Sequence, residues 1–206
     1  MWAFAIYDQQ HNTLFCARDP YGVKPFYYLE NSEHFGFASE IKALLEIPSY
    51  EAMANIAALL NYFGLSKIET QSEGFFNGIF ELQPGHVLCY DLTAQQKTIE
   101  KYYLTIPIEA EKAQTEFKAQ LENAVALRLR ADVPLGFCLS GGLDSSSIVM
   151  LIDALKGNEL KQNTFSARFK NFSKDEGEHI DTLVKACKNV NVHFTWPDKD
   201  YFESVF

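Results

Sequence analysis

Leu135-Gly-Phe-Cys-Leu-Ser-Gly-Gly-Leu-Asp-Ser-Ser-Ser-Ile-Val-Met150 decides how this 206-residue chain is read. Its opening apolar run, Leu135 to Leu139, has the length and composition of a buried strand in a parallel sheet. Ser140-Gly-Gly142 breaks the run, and Asp144-Ser145 starts a helix with Ile148, Val149, Leu151, Ile152 and Leu155 as its apolar residues. Strand, glycine turn and helix N-terminus in succession form an anion site. Backbone N–H groups converge there, glycines let the backbone approach a ligand, and the helix dipole favours negative charge. Ser140 and Ser145 add hydroxyl donors, and Asp144 is placed to hold Mg²⁺ on bound phosphates. A capped helix after a tight turn would account for Asp144 alone, as a simple N-cap. It does not account for strand, glycines, hydroxyls and carboxylate in one order. The stretch reads as a phosphate site, and the lack of a lysine near Gly142 separates it from a Walker A loop.

Downstream, Thr164 to Phe169 reads as a second strand, which makes a βαβ unit with a right-handed crossover. Asp175-Glu176 opens another helix as ordinary N-terminal acids, and Val190 to Trp196 is a third strand. Upstream, Phe117, Leu121, Val125 and Leu129 recur every four residues and predict a helix from Ala113 to Arg130. The proline-bearing link Ile106-Pro-Ile-Glu-Ala110 separates this α/β region from what precedes it. The expected domains are residues 1–104 and 105–206.

The first domain alternates strands and turns. Trp2 to Asp8 is almost wholly apolar and reads as a buried strand that needs sheet neighbours on both sides, followed by a strand from Thr13 to Ala17. Arg18 to Pro25 is a loop with two prolines and a glycine, and Phe26–Leu29 with His34–Ala38 forms a hairpin. Ser39-Glu40 caps a helix to Ile47, and Glu51 to Phe63 is a helix with Met53, Ile56, Ala57, Leu60 and Phe63 at packing positions. Thr70 to Asn77 is a connecting loop, and Gly78 to Tyr90 is strand, Pro-Gly turn, strand. His86, beside Pro84-Gly85, is read as a turn residue holding backbone groups.

Bulk properties narrow the partners. Hydrophobic content of 47% and charged content of 22% are those of a globular domain. A net charge of -9 argues against nucleic acid bound through a basic surface. No run of about 18 apolar residues offers a membrane span. Cys16, Cys89, Cys138 and Cys187 form no CxxC pair and are expected to be buried free thiols of a cytoplasmic protein.

Ser140-Gly-Gly-Leu-Asp-Ser145 resembles the pyrophosphate loop of the N-type ATP pyrophosphatases. Three further strings narrow the resemblance: Trp2-Ala-Phe-Ala-Ile-Tyr-Asp8, Ala17-Arg-Asp-Pro-Tyr-Gly-Val-Lys-Pro-Phe-Tyr-Tyr28 and Phe37-Ala-Ser-Glu-Ile-Lys-Ala-Leu44. In that order, with Gly78 to Tyr90 and Arg130 to Val149, they are similar to the asparagine synthetase family, glutamine-hydrolysing. The resemblance implies the antiparallel half of an N-terminal-nucleophile glutaminase sandwich followed by a doubly wound parallel sheet of the adenine nucleotide alpha hydrolase type. It implies ATP and Mg²⁺ as cofactors, with aspartate, glutamine and ATP as substrates and a homodimer in the complete protein. Leu139, Ser140, Gly141, Gly142, Asp144 and Ser145 would bind phosphate, Asp144 the metal, and the backbone at Ala167 the adenine. Arg168 stands where that family usually has a small residue. The family's N-terminal nucleophilic cysteine and its downstream synthetase loop are not found, so the chain reads as an internal fragment inactive alone. A related amide ligase of the β-lactam synthetase or lasso-peptide cyclase type, or a non-catalytic nucleotide-binding remnant, stays open.

Overall fold

The computed structural model describes residues 1–48, 50–66, 74–105, 107–159, 161–170, 172–173 and 175–197. The chain divides into two units, Met1–Ile106 and Pro107–Phe206.

The first unit is built from antiparallel strands. β1 (Ala3–Asp8) and β2 (Thr13–Arg18) form a hairpin, and β2 pairs onward with β6 (His86–Asp91) and β6 with β7 (Gln96–Lys101). A second sheet has β3 (Tyr27–Glu30) between β4 (Phe35–Ala38) and β5 (Ile79–Glu81). The expected strand–turn–strand around Pro84-Gly85 is present, but β5 and β6 belong to different sheets. The period of two explains the layering. Cys16, Leu88 and Tyr90 of the first sheet meet Phe26, Tyr28 and Leu82 in one cluster, while Leu29 and Ile79 turn the other way to pack on Leu44 of α1 (Ile41–Leu45). Phe35 stacks on Tyr90 with ring centroids 4.2 Å apart, which joins the two sheets.

Three expectations are corrected here. β1 pairs with β2 alone among the described residues, and Phe4, Ile6 and Tyr7 are exposed, so within this chain the opening strand is not buried and lacks the second neighbour that its apolar run calls for. α2 runs Ile56–Leu65 and not from Glu51, because Asn55 caps it by accepting the Ala58 amide (3.1 Å) and Ala54 bridges to Phe76. Its expected packing positions Met53, Ile56, Ala57, Leu60 and Phe63 are exposed, and Ala58 is the buried one. The loop expected over Thr70 to Asn77 lies partly outside the described residues.

The second unit is α/β. α3 spans Ala110–Arg128, with Val125 the buried member of its four-residue repeat. β8 (Gly136–Cys138), β9 (Gln162–Ala167) and β10 (Val190–Thr195) form a parallel sheet in the order β10-β9-β8. β8 is therefore an edge strand, shorter and more open than its apolar composition predicts; only Leu139, just beyond it, is fully buried. α4 (Leu143–Lys156) connects β8 to β9, and α5 (Gly177–Ala186) connects β9 to β10. Leu139, Val149, Ile180 and Leu183 make the core that ties α4 and α5 to the end of β8. Buried Asp153 of α4 accepts the Lys188 and Asn189 amides, which fixes the turn into β10. Among the described residues, no helix is long and apolar enough to cross a membrane.

Candidate functional site

The glycine turn starts where the sheet ends. The Leu139 amide donates to the Phe165 carbonyl of β9 (3.0 Å), and Ser166 Oγ donates to the Leu139 carbonyl (2.6 Å). Gly141 then adopts φ +88°, in the left-handed region that glycine tolerates. A Cβ on Gly141 would lie 3.0 Å from the Glu176 carbonyl oxygen and 3.2 Å from Ile180 Cγ1, so the start of α5 closes on this residue. Gly142 is different. Its φ is -68°, it is the N-cap of α4, and a Cβ there would meet only Ser140 Oγ at 3.3 Å.

Beyond the turn, donors are left over. Ser146 N to Gly142 O (3.0 Å) is the first bond of α4, so the amides of Leu143, Asp144 and Ser145 have no backbone acceptor among the described residues. The hydroxyls of Ser140 and Ser145 bond to each other (3.0 Å), and Ser140 Oγ accepts from the Gly142 amide (3.2 Å). Ser140, Leu143 and Asp144 are exposed. The result is an open, donor-lined N-terminus with the helix dipole behind it. Asp144 sits in the first turn, after the N-cap, and makes no hydrogen bond or ion pair among the described residues. It is not the capping residue. One free carboxylate suits Mg²⁺, which is held by one or two carboxylates together with substrate phosphates. Among the described residues no three His, Cys, Asp or Glu side chains gather into a metal cage.

Ala167 ends β9 opposite Thr195, on the same carboxyl edge as Leu139. The structure thus brings together Leu139 to Ser145 and the end of β9, where ligands of parallel sheets sit. Arg168 follows, and its guanidinium has a place that the sequence did not reveal. Nε donates to both Asp175 carboxylate oxygens (3.1 and 2.9 Å), Nη2 lies 2.9 Å from Oδ2, and the Phe194 and Trp196 rings are 5.3 and 5.2 Å away. Asp175 also accepts the Phe169 and Gly177 amides. The hydrogen bond from Arg168, then that from Phe169, holds the Asp175 carboxyl below the usual carboxylate range. Asp175 is therefore more than an ordinary helix acid.

The glycine-bearing loop of the first unit is closed by comparison. Asp19 accepts the amides of Trp2, Tyr21, Val23 and Lys24. Burial pushes its carboxyl up, but the four amides outweigh burial and bring it down to about 2. Arg18 donates to the carbonyls of Lys24, Leu82 and Gly22 and pairs with Glu81 at 2.8 Å. His86 Nδ1 lies 2.9 Å from the Pro84 carbonyl oxygen, the turn role expected of it. All four cysteines are free, but Cys16 alone is buried; Cys89 and Cys138 are exposed, which corrects the expectation of buried thiols. Burial, then the neighbouring Cys89, pushes the Cys16 thiol up to about 12, so it carries no nucleophile.

Two family profiles match the two units, and individual relatives match across both. The profile of the glutamine amidotransferase domain family matches residues 1–103, and that of the asparagine synthase family matches residues 116–205. Glutamine-hydrolyzing asparagine synthetase 3 of Bacillus subtilis is 38% identical over 158 residues, 73% of this chain and 25% of its own length. A Methanocaldococcus jannaschii protein provisionally named glutamine-hydrolyzing asparagine synthetase 2 is 35% identical over 213 residues, 100% of this chain and 40% of its own. Amidase chry2 of Gibberella zeae is 29% identical over 223 residues, 100% of this chain and 32% of its own. The chain thus spans 25% to 40% of the length of these relatives. A solved glutamine phosphoribosylpyrophosphate amidotransferase of B. subtilis aligns with 89% of this chain and 46% of its own at 12% identity, with a TM-score of 0.28.

Proposed function

The chain belongs to the family of glutamine-hydrolysing asparagine synthetases, and from that premise we propose that Leu139, Ser140, Gly141, Gly142, Asp144 and Ser145 hold the phosphates of ATP while the backbone at Ala167 meets its adenine. In the complete protein the reaction would have two halves. Glutamine is hydrolysed to release ammonia. A carboxylate oxygen of aspartate attacks the α-phosphorus of ATP, the α–β bond breaks, and pyrophosphate leaves with its electron pair. Ammonia then attacks the β-aspartyl-AMP carbonyl and AMP departs, giving asparagine. Adenylation is needed because a carboxylate oxygen leaves poorly.

The residues of this chain would act at the pyrophosphate. The amides of Leu143, Asp144 and Ser145, with the Ser140 and Ser145 hydroxyls, donate to the oxygens that gain charge as the α–β bond breaks. Asp144 would hold Mg²⁺, which supplies charge neutralisation when bound. The complete protein would be a cytoplasmic homodimer with an N-terminal-nucleophile glutaminase sandwich and a doubly wound nucleotide-binding sheet. The single observation that carries the reading is the group of unpartnered amides and mutually bonded hydroxyls at the start of α4, beside the end of β9. The test is product analysis with the complete protein, aspartate, glutamine and ATP. Pyrophosphate and AMP released in step with asparagine are expected, with loss of both in Asp144→Asn. Release of ADP and inorganic phosphate instead would contradict the reading.

A further inference from the structure

We infer that Arg168 and Asp175 form a positioning pair that sets the shape of the phosphate loop without touching it. This rests on the phosphate-site reading above. The chain of contacts is short. The Arg168 amide donates to the Thr195 carbonyl (2.8 Å), so the residue is fixed at the carboxyl edge of β9 and β10. Its guanidinium grips Asp175 through both carboxylate oxygens, and each side chain is only 17% exposed. Asp175 Oδ2 in turn accepts the Gly177 amide (3.3 Å), which orients the first turn of α5. The Glu176 carbonyl in that turn is what a Cβ on Gly141 would strike. Any rotation of the α5 N-terminus therefore either presses on Gly141 or opens space beside it.

Two details show that the pair is built in. A Cβ on Gly177 would lie 1.8 Å from the Arg168 guanidinium carbon, so the guanidinium occupies space that only glycine leaves free. Gly177 is buried, and helix geometry does not ask for glycine at this first helical position. The rings of Phe194 and Trp196 meet the guanidinium as well, so the arginine bridges β9, β10 and α5. Arginine alone combines the fork for Asp175 with a flat face for the rings; lysine would offer a point charge.

The experiment uses the complete protein and two readouts: Mg-ATP affinity by calorimetry, and hydrogen exchange of the segment 139–146 without nucleotide. The variants are Arg168→Met, Asp175→Asn and Gly177→Ala. Gly177→Ala keeps both charges, places a good helix former and displaces only the tip of a flexible side chain, so it remains informative should the others fold poorly. Each variant is expected to weaken Mg-ATP by about tenfold and to speed exchange in 139–146, both measured well below that variant's own melting temperature. The double variant Arg168→Met/Asp175→Asn should be no weaker than either single one, and Asp175→Glu should recover part of the loss. Native affinity and native exchange in folded Gly177→Ala and Arg168→Met overturn the inference, as does a loss that merely tracks the unfolded fraction. Should the folded wild-type protein bind no Mg-ATP, the phosphate-site reading itself fails, a result separate from any variant's.

Discussion

Two loops in this chain carry glycine, aspartate and a helix or strand junction, and they treat their polar groups in opposite ways. In the loop after β2, Asp19 is saturated by four amides, and Arg18 by three carbonyls and Glu81; both are buried. In the turn after β8 and the first turn of α4, three amides have no backbone partner among the described residues, the hydroxyls bond to one another, and Asp144 is exposed. A buried polar group left unmatched costs free energy, so a network that is complete within the protein is there for the fold. Donors left open at a helix N-terminus are available to a ligand. On the proposed reading the first loop serves the fold and the second takes the ligand.

Variants can break that contrast, the largest effect coming from the closed loop. Arg18→Ala strands three carbonyls and the partly buried Glu81, and should cost about 3–5 kcal/mol in denaturant unfolding of the first unit. Its Mg-ATP affinity should stay native. Next in size, Gly141→Ala forces a left-handed φ on a residue whose Cβ meets a backbone carbonyl at 3.0 Å. It should cost about 1–3 kcal/mol and weaken nucleotide binding as well, measured by melting and by calorimetry.

Acid sharpens the contrast further. Asp19 is held at about 2 in the fold, below its unfolded value of about 4. Its stabilisation is therefore complete above the unfolded value and is lost as pH falls from about 4 toward about 2. Asp19→Asn should remove this part of the acid limb from a plot of stability against pH. Asp144→Asn, by contrast, should leave stability within about 0.5 kcal/mol while lowering Mg-dependent ATP affinity roughly tenfold. The smallest effect belongs to Gly142→Ala. With negative φ and only Ser140 Oγ nearby, it should melt within a degree or two of wild type, roughly 0.5 kcal/mol at most.

Apolar patterning made much of this architecture legible. The hairpin of β1 and β2, that of β3 and β4, and the strand–helix–strand unit around Gly141 follow from period and turn residues. β7 did not, because Gln96-Lys-Thr-Ile-Glu-Lys101 is an edge strand facing mostly water, where no apolar alternation is required. Nor did the start of α2: the apolar spacing runs back to Met53, but a local cap at Asn55 sets the boundary. The jump from β5 to β6 between sheets is a tertiary choice that no local pattern records. At the candidate site, residue types alone carried the proposed phosphate-loop reading. They treated its two glycines alike, whereas only Gly141 has the left-handed φ and the close neighbour. The contacts of Arg168 needed coordinates, because its partner lies seven residues on and its ring contacts lie on and just after another strand.

The central claim is that the open loop takes the phosphates and the closed loop does not. It is tested most directly by following backbone amide resonances while Mg-ATP is added. Saturable shifts should appear at Gly141 through Ser145, with Tyr21, Val23 and Lys24, whose amides Asp19 holds, unmoved. Nucleotide binding that leaves Gly141 through Ser145 unshifted, or no binding by the folded protein, would contradict the account.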